Sequence, residues 1–346
     1  MDLTSYLIGR KSSGGGGGDI DWSLIGYSGT PQYIIDGFDY AKEIQEYFND
    51  KEGMADYYND KKLIYFPKID HAIQGVRFNK SSVQYVPELI FHTDKYVPGF
   101  TCEDAYNLMF LGTIDFSNVS NCPTDAFRSG FRNCYSLRSA HLILPKNVKN
   151  LDCYSLFSNC NAITDIIIEN VGSIDASNSY EMFRGCNSLK NLTLIGGKLK
   201  LNSCSYLFNS TGLEELPQLD TSECANFSNF CDYCFSLVTI PAYDCSFAVY
   251  INTVFSNSTK IENFGGFINL GKAYLTTRSA NYNYYTLDLS PSKVFTHESL
   301  MNVINGLYDI ATAGVQTQKL ILGSTNLAKL TTEEIAIATN KGWTVS

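Results

Sequence analysis

The sequence predicts an α/β solenoid, an arc of stacked coils with short parallel strands, one-turn helices and helical end caps. Three observations carry this. First, one phrase recurs between Asp125 and about Leu270. It reads Phe131-Arg-Asn-Cys134-Tyr-Ser-Leu137, then Phe157-Ser-Asn-Cys160-Asn-Ala-Ile163, then Phe183-Arg-Gly-Cys186-Asn-Ser-Leu189, with further anchors at Phe208, Cys231 and Phe255. Second, apolar or small side chains stand four residues and one residue before each anchor, as at Cys153 and Leu156 or Cys204 and Leu207. Positions i, i+3 and i+4 share one face of a helix, so each unit is expected to hold about one inward-facing helical turn. Third, Ala140/Leu142, Ile166/Ile168 and Leu192/Leu194 follow each phrase with the two-residue alternation of a half-buried strand.

Successive anchors lie 26, 26, 25, 23 and 24 residues apart. A repeat of that length is one supersecondary unit in the size range of leucine-rich repeats, and it buries its apolar face only by stacking on its neighbours. The strands are then parallel neighbours, about 4.8 Å apart. The order aromatic-x-x-Cys-x-Ser-Leu-x-x-Leu resembles the BspA-like branch of leucine-rich repeats, most closely at Glu181-Met182-Phe183-Arg184-Gly185-Cys186-Asn187-Ser188-Leu189. The likeness fades at Phe208, where Thr211 replaces Cys, and at Cys231 and Ser258, so the later coils are expected to be less regular.

Taken in chain order, residues 1–29 form a leader. Leu3, Tyr6, Leu7 and Ile8 make an apolar tag before the five glycines Gly14 to Gly18, a run that behaves as flexible tether. The tag has a use only if it docks, and together with its Gly-rich tether it resembles the leaders of bacteriophage virion proteins. The resemblance implies attachment to other virion proteins through Leu3, Tyr6, Leu7 and Ile8. Residues 30–60 are expected to be an N-terminal capping helix. Thr30-Pro31 would start it, and Ile34, Phe38, Ala41, Ile44 and Phe48 would form its apolar face to about Asn49.

The solenoid is assigned to residues 61–270. Leu63-Ile-Tyr-Phe66-Pro and Val83-Gln-Tyr-Val86-Pro are parallel phrases echoed by Leu216-Pro217 and Ile240-Pro241, while the coil boundary between Phe91 and Ser120 has no clear phrase. Residues 271–346 are expected to close the open end with two helix-plus-strand units. Leu287 and Lys319 to Leu322 lie in strands. Thr296 caps a helix that ends at Gly314, Thr331-x-x-Glu334 is a capping box, and Gly342 releases the chain into Trp343. Lys341 is expected to blunt the last edge strand. Wording from Ser299 to Trp343 again resembles the terminal units of phage-encoded repeat proteins.

Composition narrows the function classes. A net charge of −9 argues against a nucleic-acid surface. No apolar run reaches the length of about 18 residues needed for a membrane span, and the N-terminus lacks the basic-then-apolar order of a Sec signal. Eleven cysteines would suggest disulfides in a short secreted chain, but Cys134, Cys160 and Cys186 share one column. They are expected to be buried thiols donating weakly to loop backbone in a reducing compartment. Cys231-x-x-Cys234 is the only pair at metal or redox spacing and sits on two repeat columns, so no metal and no cofactor are assigned.

Nor is a catalytic residue assigned. None of His71, His92, His141 and His297 has zinc-protease spacing, there is no Gly-x-Ser-x-Gly elbow, and Glu214-Glu215 and Glu333-Glu334 are solvated or capping pairs. His141 is expected outward on its strand as a solvated side chain, and His297 in the first turn of a helix. The candidate ligand surface follows from alternation. If Ala140/Leu142 and their equivalents point inward, Ser139, His141, Asp165, Ile167, Asn191 and Thr193 share the opposite side.

These residues and the resemblance together imply a non-enzymatic virion protein assembled in the host cytoplasm. It would be a tail, baseplate or capsid-attached fibre displaying its repeats to a host-surface glycan or protein, a surface also open to homo-oligomer contacts. A bacterial surface or secreted adhesin or effector of BspA-like type is the alternative, and a glycan-active enzyme is a third.

Overall fold

The structure is a computed structural model that describes residues 34–35, 38–39, 66, 76–81, 83–93, 101–120, 122–146, 148–275, 286–313 and 317–346. It consists of short parallel strands in several sheets with few helices, an α/β arrangement. The largest sheet holds β1 (Leu89–Thr93), β2 (Thr113–Val119), β3 (Ser139–Ile143), β4 (Asp165–Glu169) and β5 (Asn191–Ile195), side by side in chain order and all parallel. A second sheet of four parallel strands takes Val148–Asp152, Ile174–Asn178, Leu199–Leu201 and Leu219–Asp220 in the same order. Two-residue pairs continue both directions, Thr239–Ile240 with Asn263–Phe264 and Tyr243–Asp244 with Phe267–Ile268.

Each repeat closes with a run of turns, and here the structure corrects the expected one-turn helix. The run is a chain of i to i+3 hydrogen bonds, such as Gly130 N to Phe127 O, Arg132 N to Ser129 O and Cys134 N to Phe131 O. The residues two before the anchors, Ser129, Ser155, Glu181, Tyr206, Asn229 and Thr253, are left-handed with φ between 52° and 57°. Those two after the anchors, Asn133, Asn159, Gly185, Ser210, Tyr233 and Asn257, have φ between 58° and 74°. A left-handed L-residue costs about 1–2 kcal/mol and ends an α-helix, so the inward positions −4, −1 and 0 are presented by turns.

What holds the run in this shape is the next repeat. The N–H groups of Phe131, Phe157, Phe183, Phe208 and Cys231 donate to Leu156, Met182, Leu207, Phe230 and Val254 at 2.8–3.0 Å. This ladder confirms Cys231 as an anchor. It also supplies the boundary missing from the sequence, since Cys102 N donates to Gly130 O and Phe78 N to Thr101 O. Phe78 and Cys102 are therefore the preceding anchors, with Tyr106 stacked on Tyr135 at 5.5 Å. Between the sheets and the turns, the anchor rings form a buried stack: Phe131 on Phe157 at 4.9 Å, Phe157 on Phe183 at 5.9 Å, Phe183 on Phe208 at 5.6 Å.

The cysteine column behaves as expected. Cys134, Cys160, Cys186 and Cys234 donate from Sγ to the preceding anchor carbonyls of Cys102, Phe131, Phe157 and Phe208 at 3.0–3.2 Å. Ser258 Oγ does the same to Cys231 O. All eleven cysteines are free thiols.

At the N-terminal end the expected helix starts where the chain instead pairs antiparallel, Ile34–Ile35 with Phe38–Asp39. Ile35 and Phe38 are partners across Asp36-Gly37, a two-residue hairpin signal that outweighs the apolar spacing. The remainder of that expected helix, from the Thr30-Pro31 start through residues 40–60, lies outside the described residues. So do Leu3, Tyr6, Leu7, Ile8 and the glycine run.

At the other end α1 (His297–Gly306), α2 (Gly323–Leu327) and α3 (Thr332–Asn340) accompany the parallel strands Thr286–Asp288, Gln318–Ile321 and Trp343–Val345. Thr296 caps α1 through Ser299 N, and the Thr331/Glu334 capping box of α3 is formed on both sides. Two expectations fail here. The first helix stops at Gly306 rather than Gly314, and Lys341 does not guard an edge strand. Its Nζ donates to the carbonyls of Ile304, Asn305 and Leu307 at 2.8–3.1 Å. A cation thereby satisfies the orphan acceptors at the end of α1.

Candidate functional site

The candidate site is the outer side of the five-stranded sheet, where register fixes every side chain. Ser139, Asp165 and Asn191 are direct partners across β3, β4 and β5. So are His141, Ile167 and Thr193, with Thr113 of β2 added as the partner of His141. All six predicted residues therefore fall in two straight columns, as alternation required. The inward partners Ala140, Leu142, Ile166 and Ile168 are buried. Leu192 and Leu194 are only partly so, because β5 is the sheet edge. In the next repeat Pro217 follows Leu216 at the equivalent place, and a residue without an N–H cannot extend the ladder.

Polar chemistry on this face is more organised than the sequence suggested. His141 Nδ1 lies 3.1 Å from Thr113 Oγ1 and His141 Nε2 lies 2.7 Å from Glu169 Oε1. Its side chain is only 19% exposed, so it is a tethered imidazole rather than a solvated one. A carboxylate on Nε2 orients the ring and leaves Nδ1 to accept from the threonine hydroxyl. Asp165 also departs from expectation. It is buried, and its carboxylate accepts from Thr164 Oγ1 at 2.5 Å and Asn191 Nδ2 at 2.6 Å, which withdraws it from the open surface.

A third column was missed altogether. Ile90 pairs with Asp115, Asp115 with Ile143, Ile143 with Glu169, and Glu169 with Ile195, one unbroken line across all five strands. Ile90 is 38% and Ile195 43% exposed, with Asp115, Ile143 and Glu169 half-buried. The signal was present: each member of the trio Ile143, Glu169 and Ile195 stands two residues beyond a member of the predicted strip. Placing Asp115 and Ile90 required the coil boundary that the ladder supplied.

Elsewhere, the Cys231/Cys234 pair is buried at the centre of a repeat. Burial pushes the Cys231 thiol well up, while a hydrogen bond with Cys231 lowers Cys234, whose Sγ donates to Phe208 O and sits 3.7 Å from Thr211 Oγ1. Among the described residues no group of three or more His, Cys, Asp or Glu is arranged to hold a metal ion. None of the described helices is long and apolar enough to cross a membrane. His297 lies in the first turn of α1 and bonds Glu334 at 2.9 Å. The tyrosine-rich stretch 282–285 and His71 lie outside the described residues, as does the side chain of His92.

No family model matches the chain, and neither curated proteins nor solved structures give a match.

Proposed function

We propose that the chain is a leucine-rich-repeat-like solenoid arc that serves as a non-enzymatic recognition and structural component of a phage particle. The leader attaches it to other virion proteins, and the outer face of the five-stranded sheet meets a host-surface ligand. The observation that supports this best is the register. Three columns of outward side chains lie on a sheet whose backbone is fixed by parallel pairing on four successive strand interfaces. A surface of that kind is preorganised, so binding costs little ordering entropy. The Thr113–His141–Glu169 chain serves that rigidity by locking the imidazole from both sides.

Mass spectrometry of purified virions from a lysate that expresses the chain tests the placement. The full chain is expected in the particles, and a form lacking residues 1–18 is expected to fold but to be missing from them. Particles that incorporate the truncated form normally, or that lack the full chain, would overturn the attachment role.

A further inference from the structure

Resting on the recognition reading above, we infer that the third column receives a cationic amphipathic helix of a protein partner, laid across the strands. The column Ile90, Asp115, Ile143, Glu169, Ile195 alternates aliphatic and acidic side chains one strand at a time. Neighbouring strands are about 4.8 Å apart, so like residues recur about every 9.6 Å. An α-helix offers matching intervals. Residues seven apart are separated by about 10.5 Å, and residues three or four apart by about 5 Å. Leucine-type residues at i, i+7 and i+14 would therefore meet Ile90, Ile143 and Ile195. Lysine or arginine between them would meet Asp115 and Glu169. A helix of about 18 residues, some 27 Å long, spans the whole line.

Two features select this partner over a sugar. The outward positions of the three columns hold the half-buried carboxylates Asp115 and Glu169 and no lysine or arginine, so the face attracts cations on a chain that is itself at −9. They also hold no phenylalanine, tyrosine or tryptophan, the usual platform for a pyranose, and instead present aliphatic side chains, of which Ile90 and Ile195 are 38% and 43% exposed. The carboxylates retain acceptor capacity. Asp115 accepts from Ser117 N at 2.7 Å and Glu169 from the His141 ring, and a carboxylate has about four acceptor positions.

The test uses fluorescence anisotropy with the full chain and four probes: a labelled leucine–lysine amphipathic helix of about 18 residues, its leucine–glutamate counterpart, a scrambled leucine–lysine peptide, and a neutral linear oligosaccharide. The leucine–lysine helix is expected to bind and to weaken with salt, and the other three are expected not to bind. Asp115→Asn with Glu169→Gln keeps the acceptor oxygens, and Ile143→Thr with Ile195→Thr keeps strand-forming residues. Each pair is expected to weaken binding at least about tenfold with circular dichroism unchanged. Equal binding by either pair, by the scrambled peptide, or no binding of the helix at all overturns the inference. Oligosaccharide binding that the paired variants abolish also overturns it, while leaving the surface itself as the recognition site. If virions carrying charge substitutions in the strip still adsorb normally, the recognition reading fails instead.

Discussion

Replacing Phe157 by alanine removes the centre of the aromatic stack. The ring is fully buried, lies 4.9 Å from Phe131 and 5.9 Å from Phe183, and is nearly parallel to both. Deleting a buried phenylalanine costs about 3–5 kcal/mol through lost transfer energy and the cavity left behind. Each ring pair adds about 0.5–1.5 kcal/mol, so the upper half of that range applies. Against a domain stability of about 5–15 kcal/mol this is a large fraction. Because stacked repeats couple mainly to neighbours, the loss should be felt first in the flanking units. Urea unfolding followed by circular dichroism, together with amide exchange, measures both. The control is Phe235→Ala, whose ring is 59% exposed and whose loss should cost less than about 1 kcal/mol. If Phe157→Ala unfolds at the same urea concentration as the parent, or shifts no more than Phe235→Ala, the stacked register is wrong.

Three further predictions concern the turns, the thiols and the C-terminal end. Thr253 is a β-branched residue at φ 53°, and Thr253→Gly should raise stability by about 0.5–1 kcal/mol in thermal melts despite the lost bond to Asn229; a clear decrease would contradict the left-handed assignment. Burial pushes the thiols of Cys153 and Cys186 up to about 12, so iodoacetamide at pH 8 should leave both unlabelled in the folded chain and label all eleven cysteines in denaturant, as read by intact mass. Rapid labelling of Cys186 without unfolding would refute its position. Glu334 is held below its ordinary pKa of 4.5, first by the Thr331 N–H and then by His297. A depressed carboxylate contributes stability that is present above that value and is lost as pH falls through the folded-state pKa. Glu334→Gln should therefore narrow the gap between melting temperatures at pH 6 and pH 3; an unchanged gap would show that the box contributes no linkage.

Much of the architecture was legible because the repeat writes its own alignment. The anchors, the inward strand positions and the thiol column follow from columns of like residues, and packing places like residues in like environments. The turn run was not legible as turns, since −4, −1 and 0 also describe a helical face. A partial signal stood two residues past the anchors, where Asn133, Asn159, Gly185 and Asn257 tolerate a left-handed backbone. Two residues before the anchors, Glu181, Tyr206 and Thr253 give no such hint. At Glu181 and Tyr206 the conformation is imposed by bonds to the following repeat, Glu181 N to Ser205 O and Tyr206 N to Ser228 O. Each such bond is worth about 0.5–1.5 kcal/mol net, comparable to the strain it offsets.

For the candidate site, alternation placed six residues on one side but could not give their exposure. Asp165 shares the side with His141 and is buried all the same, because Thr164 and Asn191 close over its carboxylate. Glu169 went unnoticed because its role depends on reaching diagonally to His141 on the neighbouring strand, a contact that no spacing within one strand encodes. Ile34 and Phe38 show the opposite failure. Their helical spacing was read without weighing the Asp-Gly dipeptide in the sequence between them, a hairpin signal that accords with the antiparallel pairing of Ile35 and Phe38.

The most direct test of the account changes His141, Ile167 and Thr193 together to lysine and measures adsorption of the folded protein, or of virions carrying it, to host cells. These residues are register partners on β3, β4 and β5, so the three charges stack in one column across the face while the inward core is untouched. The account predicts that circular dichroism is preserved and that adsorption falls at least about tenfold, equivalent to about 1.4 kcal/mol. Adsorption equal to that of the parent would contradict it and place the recognition surface elsewhere.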